Sequence, residues 1–230
     1  MSEVLELWER ACVTPPAWRD DALLGEAAPA SLSARNAALL TLRARLFGAV
    51  QRLRASCPQC ATALEFEIDC AALARALGPA SDAAQTHELR AEGYHMVYRA
   101  PDIGDWRAAA ESADFASALM GRCIVRCEHD GAACEPESLP DAVADALSNA
   151  LDALEPGASV DFDLRCPDCA AQWSAPLDCG AALFTELRAR AEGLLVEIDA
   201  LARAYGWSEA QVLALSATRR AAYLQLVGAV

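Results

Sequence analysis

Aromatic residues, basic residues and long apolar runs are all scarce in this chain of 230 residues. Phe, Trp and Tyr make up only 6% of it although hydrophobic residues reach 54%, because alanine supplies much of the apolar content. That composition favours a helix-rich, soluble protein over a β-sandwich. No stretch approaches the roughly 18 uncharged apolar residues of a membrane span, so we expect no membrane insertion.

Basic residues are fewer than acidic residues in this chain. The 19 basic residues face 33 acidic ones, which gives a formal net charge of −14. A duplex nucleic-acid binder needs clustered Lys and Arg, and so does a protein that docks on an anionic membrane. We therefore expect neither among the partners. The N-terminal "MSEVLELWERAC" is acidic and amphipathic and does not have the pattern of a secretory signal, which predicts a location in the reducing cytoplasm.

Motifs of catalysis are also missing from the sequence. It contains no HExxH, no GxSxG and no glycine loop that would cradle phosphate. The histidines His87, His95 and His129 are scattered along the chain, and an acidic surface explains the many carboxylates. We predict a non-enzymatic protein.

Cysteine, by contrast, is abundant. Ten cysteines are many for a reducing compartment, where paired cysteines more often hold metal than form disulfides. Two related stretches stand out, "CPQCATALEFEIDC" (57–70) and "CPDCAAQWSAPLDC" (166–179). Each begins with Cys-Pro-x-Cys and ends with Asp-Cys, and the residues after each CPxC turn alternate in the manner of a strand. The sequence therefore repeats one hairpin-like unit with a CPxC turn at its tip.

Two CPxC turns suit one zinc ion. Zinc takes four thiolates at about 2.3 Å in a tetrahedron, and each turn offers two of them from one side. We predict one structural zinc per chain in a split zinc ribbon, bound by Cys57, Cys60, Cys166 and Cys169. Two alternatives stay open: redox chemistry, which needs only one CxxC at the start of a helix, and a site that has lost its metal and keeps its cysteines for packing.

The residue after each second cysteine departs from the usual zinc knuckle. Glycine is favoured there because the backbone is left-handed. This chain has Ala61 and Ala170 instead. Alanine in that conformation costs on the order of 1 kcal/mol, which metal binding can offset.

Packing is the favoured role of the other cysteines. Cys70 and Cys179 follow the strands and lie too far along the chain to join the same four-ligand site comfortably, although two separate three-cysteine sites stay conceivable. The last four lack metal-ligand spacing and are interpreted as core residues: Cys12, Cys123, Cys127 and Cys134.

The predicted fold class is α+β and predominantly helical. One helix is expected to be capped by Ser33 and to run through "ARNAALLTLRARLFGAVQRL". Another is expected over "DWRAAAESADFASALMGR", before a hairpin that turns at Asp130-Gly131. The predicted parts are N-terminal helices (1–55), a split zinc ribbon (56–72 and 159–180), an inserted small α+β module (85–158) and C-terminal helices that form a hairpin (181–230).

The C-terminal segment allows two interpretations. Its helices, with a capping box at Ser208 and Gln211, have the outline of a helix-turn-helix, which beside a zinc ribbon would suggest a DNA-binding regulator. The would-be recognition helix "SEAQVLAL" offers no basic side chain to bases, however. We favour a helical hairpin that packs or docks on a partner, in which Trp207 and Tyr223 are either partner contacts or core.

The order of these features resembles the T-even phage baseplate hub family of contractile phage tails and contractile injection systems, in its zinc-ribbon-containing bacterial relatives. The similarity covers "NAALLTLRARLFG", the two CPxC stretches, "GYHMVYRAPDIGDWRAAA", "RCIVRCEHDG", "LPDAVADAL" and the terminal "IDALARAYGWSEAQVLALSATRRAAYL". The chain departs from the family in having no CPxCG and in reading "RAPDIGD" where relatives more often read "RLPTS".

This resemblance implies a structural or assembly component of a baseplate or hub, with no catalysis. Its implied partners are other baseplate, hub or tube proteins of a contractile particle. It also implies a protein of the bacterial cytoplasm that can be incorporated into a phage-tail-like particle. The DNA-binding regulator is kept as the alternative function.

Overall fold

The structure is a computed structural model that describes residues 2–77, 82, 84–135 and 139–228. It confirms a mixed α+β fold with a cluster of four cysteines. The chain divides into two compact units, one formed by Met1–Gly25 with Gly180–Val230 and the other by Glu26–Cys179. Among the described helices, none combines the length and apolar character that a bilayer crossing requires.

Helices and strands alternate irregularly along the chain. Short 3-10 turns occur at Pro16–Trp18 and Gly25–Ala27. The described helices are α1 (Glu3–Val13), α2 (Arg19–Leu24), α3 (Leu32–Phe47), α4 (Cys70–Ala76), α5 (Ile103–Ala109), α6 (Phe115–Cys123), α7 (Asp141–Leu154), α8 (Cys179–Tyr205), α9 (Glu209–Leu213) and α10 (Ala217–Leu226). The described strands are β1 (Val50–Ser56), β2 (Ala63–Asp69), β3 (Thr86–Ala91), β4 (Tyr94–Arg99), β5 (Ile124–His129), β6 (Ala132–Ala133), β7 (Asp161–Arg165) and β8 (Gln172–Pro176).

Two antiparallel hairpins form the ribbon within the unit Glu26–Cys179. Strand β1 pairs with β2, and β7 pairs with β8, each pair forming a two-stranded sheet. The apolar residues that alternate along β2 and β7 share one face of each hairpin. On that face the rings of Phe66 and Phe162 meet edge-on, with centroids 5.4 Å apart. The two hairpins therefore contact each other through their apolar sides.

The first hairpin corrects the predicted N-terminal helices. A helix was expected through Leu53, but α3 ends at Phe47 and Val50–Ser56 is a strand. Gly48, with φ of 94°, ends the helix in a conformation that favours glycine. The guanidinium of Arg43 then donates to the carbonyls of Gly48 and Val50, at 2.6 and 2.7 Å. Pairing with β2 outweighs the helical propensity of the Leu- and Arg-rich sequence.

The start of α3 is a second correction. Ser31, rather than Ser33, caps the helix by accepting a hydrogen bond from the Ala34 amide at 3.2 Å. Ser33 is buried inside the first turn, where its hydroxyl accepts from the Gly157 amide at 2.9 Å. The Ser33 hydroxyl therefore makes a long-range hydrogen bond, which the local sequence pattern does not predict.

The inserted module contains a sheet of order β3-β4-β5-β6. Strand β3 was not predicted. In β4, Met96 and Tyr98 lie on one face and are buried. The hairpin turns at Asp130 and Gly131, both with positive φ, which confirms that prediction. The core beneath it consists of Met96, Tyr98, Cys123, Cys127, Val143, Leu147 and Leu151.

The single helix expected over residues 105–122 is two helices. Asp102 and Asp105 form a capping box that starts α5, and Asp114 caps α6 by accepting from the Ser117 amide at 3.1 Å. Asp and Ser at these positions favour caps over helix interiors because their side chains compete for backbone amides. The segment between the two helices therefore becomes a turn.

The unit formed by the chain's two ends is helical. Leu5 of α1 packs with Ala191 and Leu194 of α8. Further along, Leu201, Val212 and Leu224 join α8, α9 and α10 in a second apolar cluster. Gly206, with φ of 67°, follows the end of α8, and the predicted capping box of Ser208 with Gln211 is confirmed.

Asp105 provides a test of the inserted module. It is 3% exposed and pairs with Arg99 at 2.6 Å and Arg122 at 3.2 Å. Burial acts to raise the pKa of Asp105, but hydrogen bonds and charge from Arg99, the Asp102 amide and Arg122 outweigh it and hold the pKa below its usual value. Its carboxylate therefore stabilises the fold at neutral pH, and this contribution is lost as pH falls through the folded pKa.

We expect Asp105→Asn to lower the free energy of unfolding by about 2 kcal/mol at pH 7, since charged hydrogen bonds are lost. The difference from the unmodified chain should shrink below about pH 4, where the carboxyl protonates in the unfolded state. Urea titrations at several pH values measure both effects. Glu111→Gln, an equivalent charge change at an exposed position, is the control and should leave stability nearly unchanged. A pH-independent deficit in Asp105→Asn would contradict this assignment.

Candidate metal centre

The four cysteines predicted to bind zinc lie close together in the structure. The Sγ atoms of Cys57 and Cys169 lie 3.6 Å apart, and those of Cys60 and Cys166 lie 3.5 Å apart. All four sulfur atoms fall within 4.8 Å of one another. The structure thus confirms that these four cysteines form one group that could hold a metal ion, with two ligands from each hairpin.

The spacing fits a tetrahedral ion. Four thiolates at about 2.3 Å from a common centre stand about 3.8 Å from each other, close to the distances observed here. Soft thiolate ligands select zinc, iron or copper(I) over magnesium or calcium. With all four positions taken by protein, the centre leaves no coordination site for water or substrate.

The two turns have the same backbone geometry. In the first, the Ala61 amide donates to the Cys57 carbonyl and the Cys57 amide donates to the Thr62 carbonyl, both at 2.9 Å. In the second, the Ala170 amide donates to the Cys166 carbonyl at 3.1 Å and the Cys166 amide to the Ala171 carbonyl at 2.9 Å. The repeated sequence therefore folds twice into the same two-ligand clamp.

Both clamps place alanine in the left-handed region, as the sequence predicts. The φ angles of Ala61 and Ala170 are 59° and 61°. In this region the Cβ atom approaches the following carbonyl oxygen, so each alanine is strained relative to glycine. The turns nonetheless hold their cysteines in position.

The ligands differ in exposure. Cys57 and Cys166, the first cysteine of each turn, are buried, whereas the second ones, Cys60 and Cys169, are exposed. Thr62 crosses between the hairpins at the exposed side, where its hydroxyl lies 3.2 Å from the Cys60 sulfur and donates to Asp168 Oδ2 at 2.7 Å. One side of the centre therefore faces solvent.

Their thiols also differ in acidity. Hydrogen bonding by Thr62, through its side chain and then its backbone, lowers the pKa of Cys60 to about 6. For Cys169, the Ala171 amide acts in the same direction, but partial desolvation of the thiol and hydrogen bonds with the neighbouring thiols outweigh it and raise the pKa to about 12. Cysteine binds metal as the thiolate, so an ion that enters this centre must displace the thiol protons.

The other cysteines lie outside this group. Cys70 and Cys179 are buried, and the Cys70 thiol donates to Gln51 Oε1 at 3.3 Å. Within the described part of the chain, the four ligands alone form a cluster with metal-binding distances. Cys123 and Cys127 are core residues as expected, but Cys12 is exposed and Cys134 only half-buried, so packing was the wrong interpretation for Cys12.

The aromatic residues proposed as partner contacts form a cluster. Trp207 stacks on Tyr205 with centroids 4.6 Å apart, and Tyr223 meets Trp207 edge-on at 4.9 Å. Trp207 and Tyr223 also pack against the cluster of Leu201, Val212 and Leu224. Tyr205, which the sequence reasoning missed, is 38% exposed. Whether this aromatic cluster meets a partner stays a prediction.

Comparison with known proteins found no protein similar to this chain. The chain matches no protein-family model, and neither curated proteins nor solved structures contain a match.

Because Ala61 and Ala170 are strained, we expect glycine at either position to stabilise its CPxC turn. Ala61→Gly and Ala170→Gly should each raise the free energy of unfolding of the metal-free protein by up to about 1 kcal/mol, because the Cβ clash is removed. Urea titrations of chelator-treated protein measure this. Ala189→Gly, at an exposed position inside α8, is the control and should lower stability by a similar amount. Destabilisation in the clamp variants would show that the left-handed geometry is not strained.

Proposed function

We propose that this protein is a non-enzymatic structural or assembly component of the baseplate or hub of a contractile, phage-tail-like particle, stabilised by one structural zinc ion. The observation that carries the metal assignment is the convergence of four thiols from two hairpins far apart in sequence. The particle assignment is supported by the resemblance in the order of sequence features.

Zinc is the metal that this centre suits best. It is redox-inactive, prefers tetrahedral sites and commonly takes four cysteines in structural positions. Cys57 and Cys60 would hold it from the first hairpin, and Cys166 and Cys169 from the second. Such a site contributes its binding free energy, of order 10 kcal/mol, directly to folding.

A closed thiolate site supports a structural role over a catalytic one. Catalytic zinc keeps an open position for water, and this donor set provides none. The ion would instead fix the two ends of the inserted module, because one hairpin precedes the module and the other follows it. The module's surfaces would then have a constant orientation relative to the ribbon.

The C-terminal helices favour a protein partner over DNA. Arg220 is 8% exposed and its guanidinium donates to Glu197 Oε2 at 3.0 Å, so it is engaged inside the fold. Helix α9, the counterpart of a recognition helix, is five residues long and buries Val212. These features disfavour the DNA-binding regulator.

The metal proposal predicts about one zinc per purified chain, which elemental analysis measures. Cys57→Ser and Cys166→Ser should abolish stoichiometric zinc and lower thermal stability, because each leaves three ligands. Cys12→Ser, a change at an exposed cysteine outside the cluster, should keep both. Protein purified under reducing conditions without zinc, or with a coloured iron centre, would overturn the zinc assignment.

The particle proposal predicts that the tagged protein co-purifies with sheath, tube or baseplate proteins from cells that produce the particle. We expect Trp207→Ala to reduce this association by about tenfold, roughly 1.4 kcal/mol, if the aromatic cluster is the contact. Trp18→Ala, a change at an exposed tryptophan of the same unit outside the aromatic cluster, is the control. Unchanged association with a folded Trp207→Ala protein would remove the contact, and absence of all such proteins would remove the function.

A further inference from the structure

Two cysteines outside the metal centre face each other across the β5–β6 hairpin. The register pairs His129 with Ala132 and Glu128 with Ala133, so Cys127 and Cys134 are the next pair. The Cys134 amide donates to the Cys127 carbonyl at 3.1 Å. Residues at such a hydrogen-bonded position have Cα atoms about 5.5 Å apart, which is within the range that a disulfide spans.

Their sulfur atoms are already close. The Sγ–Sγ distance is 3.0 Å, and a disulfide bond of about 2.05 Å needs only a further approach of about 1 Å. Within the described residues, no third cysteine, histidine or carboxylate joins this pair as a metal ligand. The pair therefore differs from the four-thiol centre in composition and in distance.

The two thiols have unequal access to solvent. Cys134 is half-buried, whereas Cys127 is 5% exposed and belongs to the core of the inserted module. Burial and the neighbouring Cys134 raise the pKa of Cys127 to about 12. An external reagent thus meets Cys134 first, and Cys127 is placed to react with whatever forms there.

We propose that Cys127 and Cys134 are a dithiol–disulfide couple that low-molecular-weight disulfides, such as oxidised glutathione, oxidise. The Cys134 thiolate attacks one sulfur of the reagent, which breaks the reagent's S–S bond and releases one glutathione thiolate. Cys127 then loses its proton and attacks the Cys134 sulfur, which releases the second glutathione. The protein loses two electrons and two protons, and one glutathione disulfide becomes two thiols.

The bond would act on the edge of the sheet. Strand β6 has only two residues, and among the described strands it pairs with β5 alone. A covalent link just beyond it would hold the hairpin closed against the core that α7 covers. Oxidation should therefore slow amide hydrogen exchange in β5 and β6 without altering the metal centre.

The test uses the full-length, metal-loaded protein, treated with oxidised glutathione, alkylated and digested with trypsin. Cleavage after Arg126 and Arg165 gives one peptide that contains Cys127 and Cys134 but none of the metal ligands. We expect this peptide to become lighter by two hydrogen atoms and to resist alkylation until it is reduced. Cys12, an exposed thiol in the same sample, should instead carry a glutathione adduct and serves as the internal control.

Cys127→Ser should stop the reaction at a stable glutathione adduct on Cys134, and Cys134→Ser should prevent modification of the peptide. Circular dichroism and metal content establish that each variant is folded. Should the buried substitution prevent folding, the result with the unmodified chain decides alone. Two free thiols in the peptide, a persistent adduct on Cys134, or a link to a cysteine elsewhere would each overturn the proposal.

Discussion

The ribbon of the unit Glu26–Cys179 is organised by the contact between its two CPxC turns, which brings four thiols together. The strands themselves add little burial, because β2, β7 and β8 contain no fully buried residue. An isolated two-stranded hairpin is marginal in water. The edge-on contact of Phe66 with Phe162 and the hydrogen bond from Thr62 to Asp168 add only a small area of contact between the two hairpins. A metal ion bound by the four thiols would supply what the small apolar face lacks, just as metals stabilise other domains with small cores.

Packing around the ribbon strengthens the same long-range link. The buried carboxylate of Glu155 accepts hydrogen bonds from the Ser31 hydroxyl and the Ser33 amide, at 3.1 and 2.8 Å. Nearby, the Asn36 side chain donates to the Gly157 carbonyl at 2.8 Å. The segment before the second hairpin is thereby held against the start of α3, which leads to the first. The metal centre and this polar contact join the same two regions of the chain.

The repeat made the four ligands predictable, because equal spacing in two copies implies equal local geometry and one tetrahedral ion needs both. Strand β1 was not predictable in this way. Its Leu and Arg residues also fit a helix, and the segment becomes a strand only because it pairs with β2. The cap at Ser31 was likewise not predictable from local sequence, because the Ser33 hydroxyl accepts a hydrogen bond from the distant Gly157 amide. The Cys127–Cys134 pair had a signal that was overlooked: a two-residue turn at Asp130-Gly131 fixes the register that sets these cysteines opposite each other.

Ion pairs within the protein engage much of its positive charge, and this bears on the kind of partner that the proposed function would involve. Several arginines are paired with carboxylates on their own element or its neighbour, including Arg54 with Glu65 and Arg188 with Glu192. Since basic residues are also outnumbered 19 to 33, such pairing leaves acidic groups as the excess charge. Under the function proposed above, electrostatic complementarity would favour a protein partner that presents basic groups over a negatively charged nucleic acid.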